Sequence, residues 1–282
     1  MRVFQSVTET LTRTSSIKWI DARFSLQDPL AGEKAYKQEH IQDAVHWDLE
    51  NDLSDMRKSG GRHPLPDREA LTELFRKSGL QLDDEIVVYD DGGNPFSARA
   101  WWILKYGGFQ HVSIALEGYE EIKSLGIKTQ KEIAEPKRSN VEPIWNESIL
   151  ASKEDVQKLV EENSGELLVD ARAAVRFRGE HEPLDAIAGH IPGAKNFDWS
   201  QLTELGRFNT SGAAAKRLGN LTDKDDAITV YCGSGITAAP LYAMLSEKGY
   251  SNVRLYAGSY SDWISGGDLP IETGEADNGD SL

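Results

Sequence analysis

The chain contains itself twice. Trp19-Ile20-Asp21-Ala22-Arg23 recurs as Leu168-Val169-Asp170-Ala171-Arg172, an offset of 170 − 21 = 149. His40-Ile41-Gln42-Asp43-Ala44 recurs as His190-Ile191-Pro192-Gly193-Ala194, an offset of 190 − 40 = 150. Ile86-Val87-Val88-Tyr89 recurs as Ile228-Thr229-Val230-Tyr231, an offset of 228 − 86 = 142. Three matches in one order, drifting only by small insertions, define two homologous domains. The implied division is a first domain over 1–127, a linker over 128–147, a second domain over 148–275 and a flexible tail over 276–282. The linker is charged, contains proline and lacks helical or strand periodicity, and the tail is rich in Gly, Asp and Glu.

Within each half, short apolar runs alternate with amphipathic stretches. Ile86–Tyr89, Val112–Ala115, Leu167–Val169, Ile228–Tyr231 and Val253–Tyr256 are short and rich in β-branched or aromatic residues, as strands buried on both faces are. Asp67–Ser78 puts Ala70, Leu71, Leu74 and Phe75 on one helical face, and Ser152 with Asp155 has the spacing of a capping box. Strand–helix–strand alternation predicts an α/β fold, twice over: two tandem domains, each a mostly parallel sheet flanked by helices.

Composition narrows the function. Of 282 residues, 31 are Lys or Arg and 46 Asp or Glu, a net charge of −15. Nucleic acids and anionic membranes call for a net basic face, so neither is an expected partner. No window is apolar enough to span a bilayer, and Met1 to Ser16 is polar and Thr-rich, unlike a signal peptide. The single cysteine excludes an intramolecular disulfide framework and multi-cysteine metal sites, and the six histidines have no ligand spacing. A reduced, cytoplasmic setting without a metal is the expectation.

That cysteine, Cys232, directly follows the strand run Ile228–Tyr231 and opens Cys232-Gly233-Ser234-Gly235-Ile236-Thr237, ahead of an apolar helical stretch from about Ala238 to Lys248. Reactive groups of open α/β sheets sit at such strand ends. Two glycines let the loop curl its N–H groups inward toward an anion, with the helix dipole adding to the field. A thiol there is expected to react as its thiolate, within a cradle formed by Gly233, Ser234, Gly235, Ile236 and Thr237. The first domain is an internal control. It places Asp90 where the second has Cys232, and its Asp90–Ser97 span, 97 − 90 = 7, is two longer than 237 − 232 = 5. It offers no nucleophile.

The repeat, the Asp-Ala-Arg strand ends, the Gly189-His190-Ile191-Pro192-Gly193-Ala194 turn and the Cys-Gly-Ser-Gly-Ile-Thr loop resemble the two-domain rhodanese (sulfurtransferase) family over nearly the whole chain. The loop is close to the Cys-Gly-Ser-Gly-Val-Thr form of 3-mercaptopyruvate sulfurtransferases, and Ser97-Ala98-Arg99-Ala100-Trp101-Trp102 resembles a stretch of the family's inactive first domain. The resemblance implies that Cys232 takes the sulfane sulfur of a small anionic donor as a persulfide and passes it to cyanide or a thiol, in ping-pong fashion and without a cofactor. A thioredoxin-like protein is one acceptor of that kind. It further implies that Arg176 binds the donor anion, and that Ser234, His63 and Glu50 form a proton relay. Arg172, Asp170 and His190 have counterparts in Arg23, Asp21 and His40, so structural roles are expected for them. One departure weakens the case for mercaptopyruvate. Leu184 stands where those enzymes usually carry a second arginine, leaving Arg178 as a substitute or thiosulfate as the donor.

Two rivals remain to be weighed. A cysteine phosphatase places an arginine six positions after its cysteine, and here that position is Ala238. A persulfide carrier would instead load sulfur onto Cys232 stoichiometrically for a protein partner and release it slowly to small acceptors.

Overall fold

The computed structural model describes residues 2–13, 16–162 and 165–275, and the expected tail over 276–282 lies outside the described residues. The chain forms two compact units. The first comprises the described residues of Met1–Asp55, Pro66–Asn146 and Thr203–Phe208, the second those of Met56–Leu65, Glu147–Leu202 and Asn209–Leu282.

In the first unit the strands run in the order Phe4–Gln5, Val112–Ala115, Ile86–Tyr89, Lys18–Asp21, Val45–His46, all parallel. The second repeats this as Leu150–Ala151, Val253–Tyr256, Ile228–Tyr231, Leu167–Asp170, Lys195–Asn196. The register is repeated too: Asp21 pairs with Tyr89 and Asp170 with Tyr231. Ile86–Tyr89 and Ile228–Tyr231 are buried along their whole length, as continuous apolar runs in a parallel sheet require. Each is followed by a helix apolar on nearly every side, Pro95–Tyr106 or Ala238–Glu247. Helix Arg68–Lys77 buries Leu71, Leu74 and Phe75, is capped by Asp67 accepting from the Ala70 N–H, and leaves Ala70 exposed. The Ser152–Asp155 capping box is formed in both directions, at 3.1 and 2.8 Å.

The units depart from the division expected over 1–127, 128–147 and 148–275. Met56–Leu65 groups with the second unit and Thr203–Phe208 with the first. The stretch expected to link the domains packs within the first unit. Thr129–Gln130 pairs antiparallel with His40–Ile41, Arg76 Nε donates to the Val141 carbonyl at 3.0 Å, and Trp145 lies against Phe75 and Tyr106. Such edge pairing and single aromatic anchors leave no periodicity to read.

In both sheets the strand carrying Asp-Ala-Arg ends in a buried ion pair. Arg172 forks onto Asp170, with Nη2 2.6 Å from Oδ2, and Arg23 does the same to Asp21 at 2.7 Å. Both side chains of the Asp170–Arg172 pair are fully buried. Burial pulls the Arg172 pKa down, but the charge and hydrogen bonds of Asp170 more than reverse this and leave it raised. The guanidinium also donates to the Gly189 carbonyl at 2.7 Å and lies over the Tyr260 ring at 4.1 Å. Arg23 matches this with the Glu39 carbonyl at 2.8 Å and the Tyr119 ring at 4.0 Å. His190 stacks on Phe177 and Nδ1 meets its carbonyl at 2.8 Å, as His40 does with Tyr36 at 2.6 Å. These are structural roles, because each is present in both copies.

Removing one member of a buried pair strands the other's charge, so Asp170→Ala is expected to lower the unfolding free energy by about 3–5 kcal/mol. Urea denaturation measures this, and a loss below about 1 kcal/mol would show that the pair is not a keystone of the second unit.

Candidate active site

The strand Ile228–Tyr231 delivers Cys232 to the carboxyl edge of its sheet. The loop after it is held by the segment following Val253–Tyr256. The Cys232 N–H donates to Ser259 Oγ at 3.1 Å, and the carbonyls of Cys232 and Gly233 accept from the N–H groups of Tyr260 and Ser261, each at 2.9 Å. Gly235 then turns its N–H onto Cys232 Sγ at 3.1 Å. Gly235 has φ +79°, and a β-carbon there would stand 2.1 Å from the Ala257 carbonyl oxygen, so only glycine allows this turn. Ser259 itself lies in the left-handed region at φ 55°, fully buried, its Oγ 3.9 Å from Sγ. Such backbone strain in a side chain beside a thiol is where a functional constraint is expected.

Cys232, Gly233, Ser234, Gly235 and Ile236 are all buried, and Thr237 is half-buried at the N-cap of helix Ala238–Glu247. Ser234 Oγ lies 2.9 Å from His63 Nδ1, so these two of the expected site residues meet. Glu50 belongs to the first unit, where its N–H donates to Asp48 Oδ1 at 2.9 Å.

Two guanidiniums converge on the loop. A β-carbon at Gly233 would stand 2.6 Å from Arg62 Nη2 and 3.3 Å from Arg176 Nη2. Arg176, on the short helix Ala174–Phe177, is gripped by Glu182 through Nε at 3.0 Å and Nη2 at 2.9 Å, and reaches Asp185 Oδ2 at 3.0 Å. Arg62 Nη1 pairs with Asp185 Oδ1, and its N–H donates to Ser261 Oγ at 3.0 Å. Glu182 also meets Arg172 Nη1 at 3.3 Å. The result is one chain of alternating charge, Asp170–Arg172–Glu182–Arg176–Asp185–Arg62, running from the core to the thiol loop. Burial, then the like charge of Arg176, lowers the Arg62 pKa, and the Cys232 sulfur opposes that shift.

The expected substitute for a second arginine is not there. Arg178 pairs with Glu180 at 2.8 Å and Glu275 at 3.5 Å, and Leu184 is exposed. Arg62 is instead the second cation on the loop. The repeat gives no hint of it, because Met56–Leu65 is far from Cys232 in sequence; its one signal is direct adjacency to His63. The acidic loop is equally hidden. Phe177 to His190 spans 190 − 177 = 13 positions where Tyr36 to His40 spans 40 − 36 = 4, and the added length carries Glu182 and Asp185. Among the described residues no cluster of three or more His, Cys, Asp or Glu is arranged to hold a metal ion, and no helix is long and apolar enough to cross a membrane.

The duplicated parallel α/β fold carries a lone thiol at the strand end of one copy and a carboxylate at the matching strand end of the other. Residues 5–125 and 152–265 each match the rhodanese-like domain, and the chain belongs to that family. It is 38% identical to a probable 3-mercaptopyruvate sulfurtransferase of Pseudomonas aeruginosa, over 91% of this chain and 92% of that one. It is 37% identical to a putative thiosulfate sulfurtransferase, SseB, of Mycobacterium tuberculosis, over 91% of each. Among solved structures it resembles SseA of Escherichia coli, a 3-mercaptopyruvate enzyme, at 29% identity and a TM-score of 0.77, over 93% of this chain and all of that one.

The first unit fills the corresponding position with Asp90. Its carboxylate accepts the N–H groups of Gly92 at 2.7 Å and Ser97 at 3.1 Å, while its carbonyl accepts from Tyr119 as that of Cys232 does from Tyr260. Burial lifts the Asp90 pKa from 3.8 to about 6, against the pull of those donors. Because the folded-state value is the higher one, the stability this group contributes is present in full below the unfolded value of 3.8 and is lost as pH rises through about 6. Relative to wild type, Asp90→Asn is therefore expected to gain up to about 3 kcal/mol between acid pH and neutrality. Denaturation of both proteins across that range checks this, and a difference independent of pH refutes it.

Proposed function

We propose that this protein is a sulfurtransferase that moves a sulfane sulfur from a small anionic donor, 3-mercaptopyruvate by preference, to cyanide or a thiol through a persulfide on Cys232. The observation that carries the reading is the Cys232 sulfur accepting the Gly235 N–H at 3.1 Å at a strand end, with two guanidiniums at the neighbouring Gly233. An N–H aimed at sulfur stabilises the thiolate before attack and again when it leaves the persulfide. Similarity over almost the full length to enzymes named for this reaction supports the class.

In the first half-reaction the Cys232 thiolate attacks the donor sulfur and the donor's C–S bond breaks. The bonding pair stays on carbon as the pyruvate enolate, which takes a proton, and Cys232 carries the extra sulfur. The Ser234 hydroxyl, in contact with His63 at 2.9 Å, is the group we assign to that proton. Arg176 holds the donor's carboxylate through the Nη1–Nη2 end of its guanidinium, Glu182 occupying the Nε–Nη2 edge. In the second half-reaction cyanide, a small thiolate or the thiolate of a thioredoxin-like protein attacks the outer sulfur, the S–S bond breaks, and the Cys232 thiolate is restored. A reducing, cytoplasmic compartment suits this cycle, since the reacting group is a free thiol.

Incubation with donor alone is expected to leave Cys232 one sulfur atom heavier by mass spectrometry, and Cys232→Ser is expected to abolish both adduct and turnover. Unchanged mass, or appreciable turnover in the variant, overturns the reading. With mercaptopyruvate as donor, Arg176→Ala is expected to raise KM about 10- to 100-fold, the loss of a charge-assisted clamp. Steady-state comparison of mercaptopyruvate with thiosulfate, as kcat/KM, tests the donor. Stoichiometric loading with very slow release to small acceptors would indicate a carrier instead.

A further inference from the structure

The two oxygens of Asp185 are divided between two arginines: Oδ1 pairs with Arg62 Nη1, and Oδ2 with Arg176 Nη2 at 3.0 Å. One carboxylate bridging two guanidiniums is the arrangement that a bound anion would make for itself. Both guanidiniums stand close to Gly233, the residue next to the reactive sulfur. The cluster is otherwise balanced, with Arg62, Arg172 and Arg176 against Asp170, Glu182 and Asp185. Among its arginines exposure rises from none at the Arg172 side chain to 17% at Arg176 and 30% at Arg62, while the carboxylates stay buried. The most accessible cation is thus Arg62. Asp185 is 3% exposed and is held in place by its N–H bond to Glu182 at 3.1 Å.

We propose that Arg62 is a specificity-determining residue of this site, forming with Arg176 a two-guanidinium clamp for the carboxylate of an anionic sulfur donor, with Asp185 as the internal carboxylate that the donor displaces or shares. This rests on the sulfurtransferase reading above and adds to it a second cation and a resident competitor. Two forks at an angle fix the orientation of a planar carboxylate where a single fork leaves it free to swing, so the donor's sulfur is presented to Sγ in one pose. The competitor makes the clamp selective: an uncharged donor gains nothing by displacing Asp185, and an anionic one replaces a like group.

The test compares KM and kcat for two donors, the anionic mercaptopyruvate and its uncharged methyl ester, which loses sulfur by the same C–S cleavage. Arg62→Ala is expected to raise the mercaptopyruvate KM about 10- to 100-fold with a much smaller change in kcat, and to change the KM of the ester far less. Asp185→Asn is expected to act in the opposite sense, lowering the mercaptopyruvate KM several-fold. Arg62→Lys keeps the charge and loses the fork, so it is expected to fall between wild type and Arg62→Ala, and it serves if the alanine variant is unstable. An unchanged mercaptopyruvate KM in both Arg62 variants, or equal rises for both donors, overturns the proposal and leaves Arg62 a loop-holding residue. The sulfur adduct on Cys232 separates this from the parent reading. Adduct formation in wild type with an indifferent Arg62 removes only the clamp, whereas wild type without an adduct removes both.

Discussion

Each sheet is anchored at its carboxyl edge by a buried Asp–Arg pair two residues apart, and much of the rest hangs on it. A charge taken out of water is tolerated only where its partner and its remaining hydrogen bonds are supplied. Asp170 therefore commits Arg172, which commits the Gly189 carbonyl and the Tyr260 face. Tyr260 in turn gives its N–H to the Cys232 carbonyl. Cys232 is thus positioned, at two removes, by a buried salt bridge. The same circuit runs through Asp21, Arg23, Tyr119 and Asp90 in the first unit, so it is a feature of the fold common to both copies.

What distinguishes the copies is small and local. At one strand end a carboxylate accepts two loop N–H groups, and at the other a sulfur accepts one. Both loops present N–H donors to the side chain at the strand end, a carboxylate in one copy and a sulfur in the other. Asp90 accepts the loop N–H groups with its own side chain, leaving them satisfied within the domain. The longer, proline-containing loop of the first unit fits that use.

The parts legible in the sequence are those encoded by nearby residues. Strands such as Ile86–Tyr89 and Ile228–Tyr231, the capping box at Ser152, and the placement of Cys232 after a strand all depend on spacings of a few residues, and the repeat doubles each strand signal. The parts that escape depend on contacts between distant segments. Met56–Leu65 groups with the second unit, so sequence alone does not bring Arg62 beside Cys232, and Thr129–Gln130 is a strand only because His40–Ile41 lies next to it. Ser259 is hidden for another reason, since a serine at positive φ has no local motif. Arg178, expected as the substitute for the missing second arginine, pairs with Glu180 and Glu275 instead, because two positions along a helix turn its side chain away from the face of Arg176.

The net charge of −15 makes the location of the cations a matter of mechanism. An anionic donor approaching such a protein meets repulsion at long range, although that field is screened within about 8 Å at physiological ionic strength. Attraction must then come from close contacts, where partial burial weakens screening. Guanidiniums on an open surface would gain little, and buried unpaired ones would cost several kcal/mol each. The chain of alternating charge resolves the conflict. Each arginine is neutralised by a carboxylate while the site is idle, so the fold tolerates cations beside the thiol loop, and the carboxylate nearest the exposed end, Asp185, is the one an incoming anion can replace at near-constant charge.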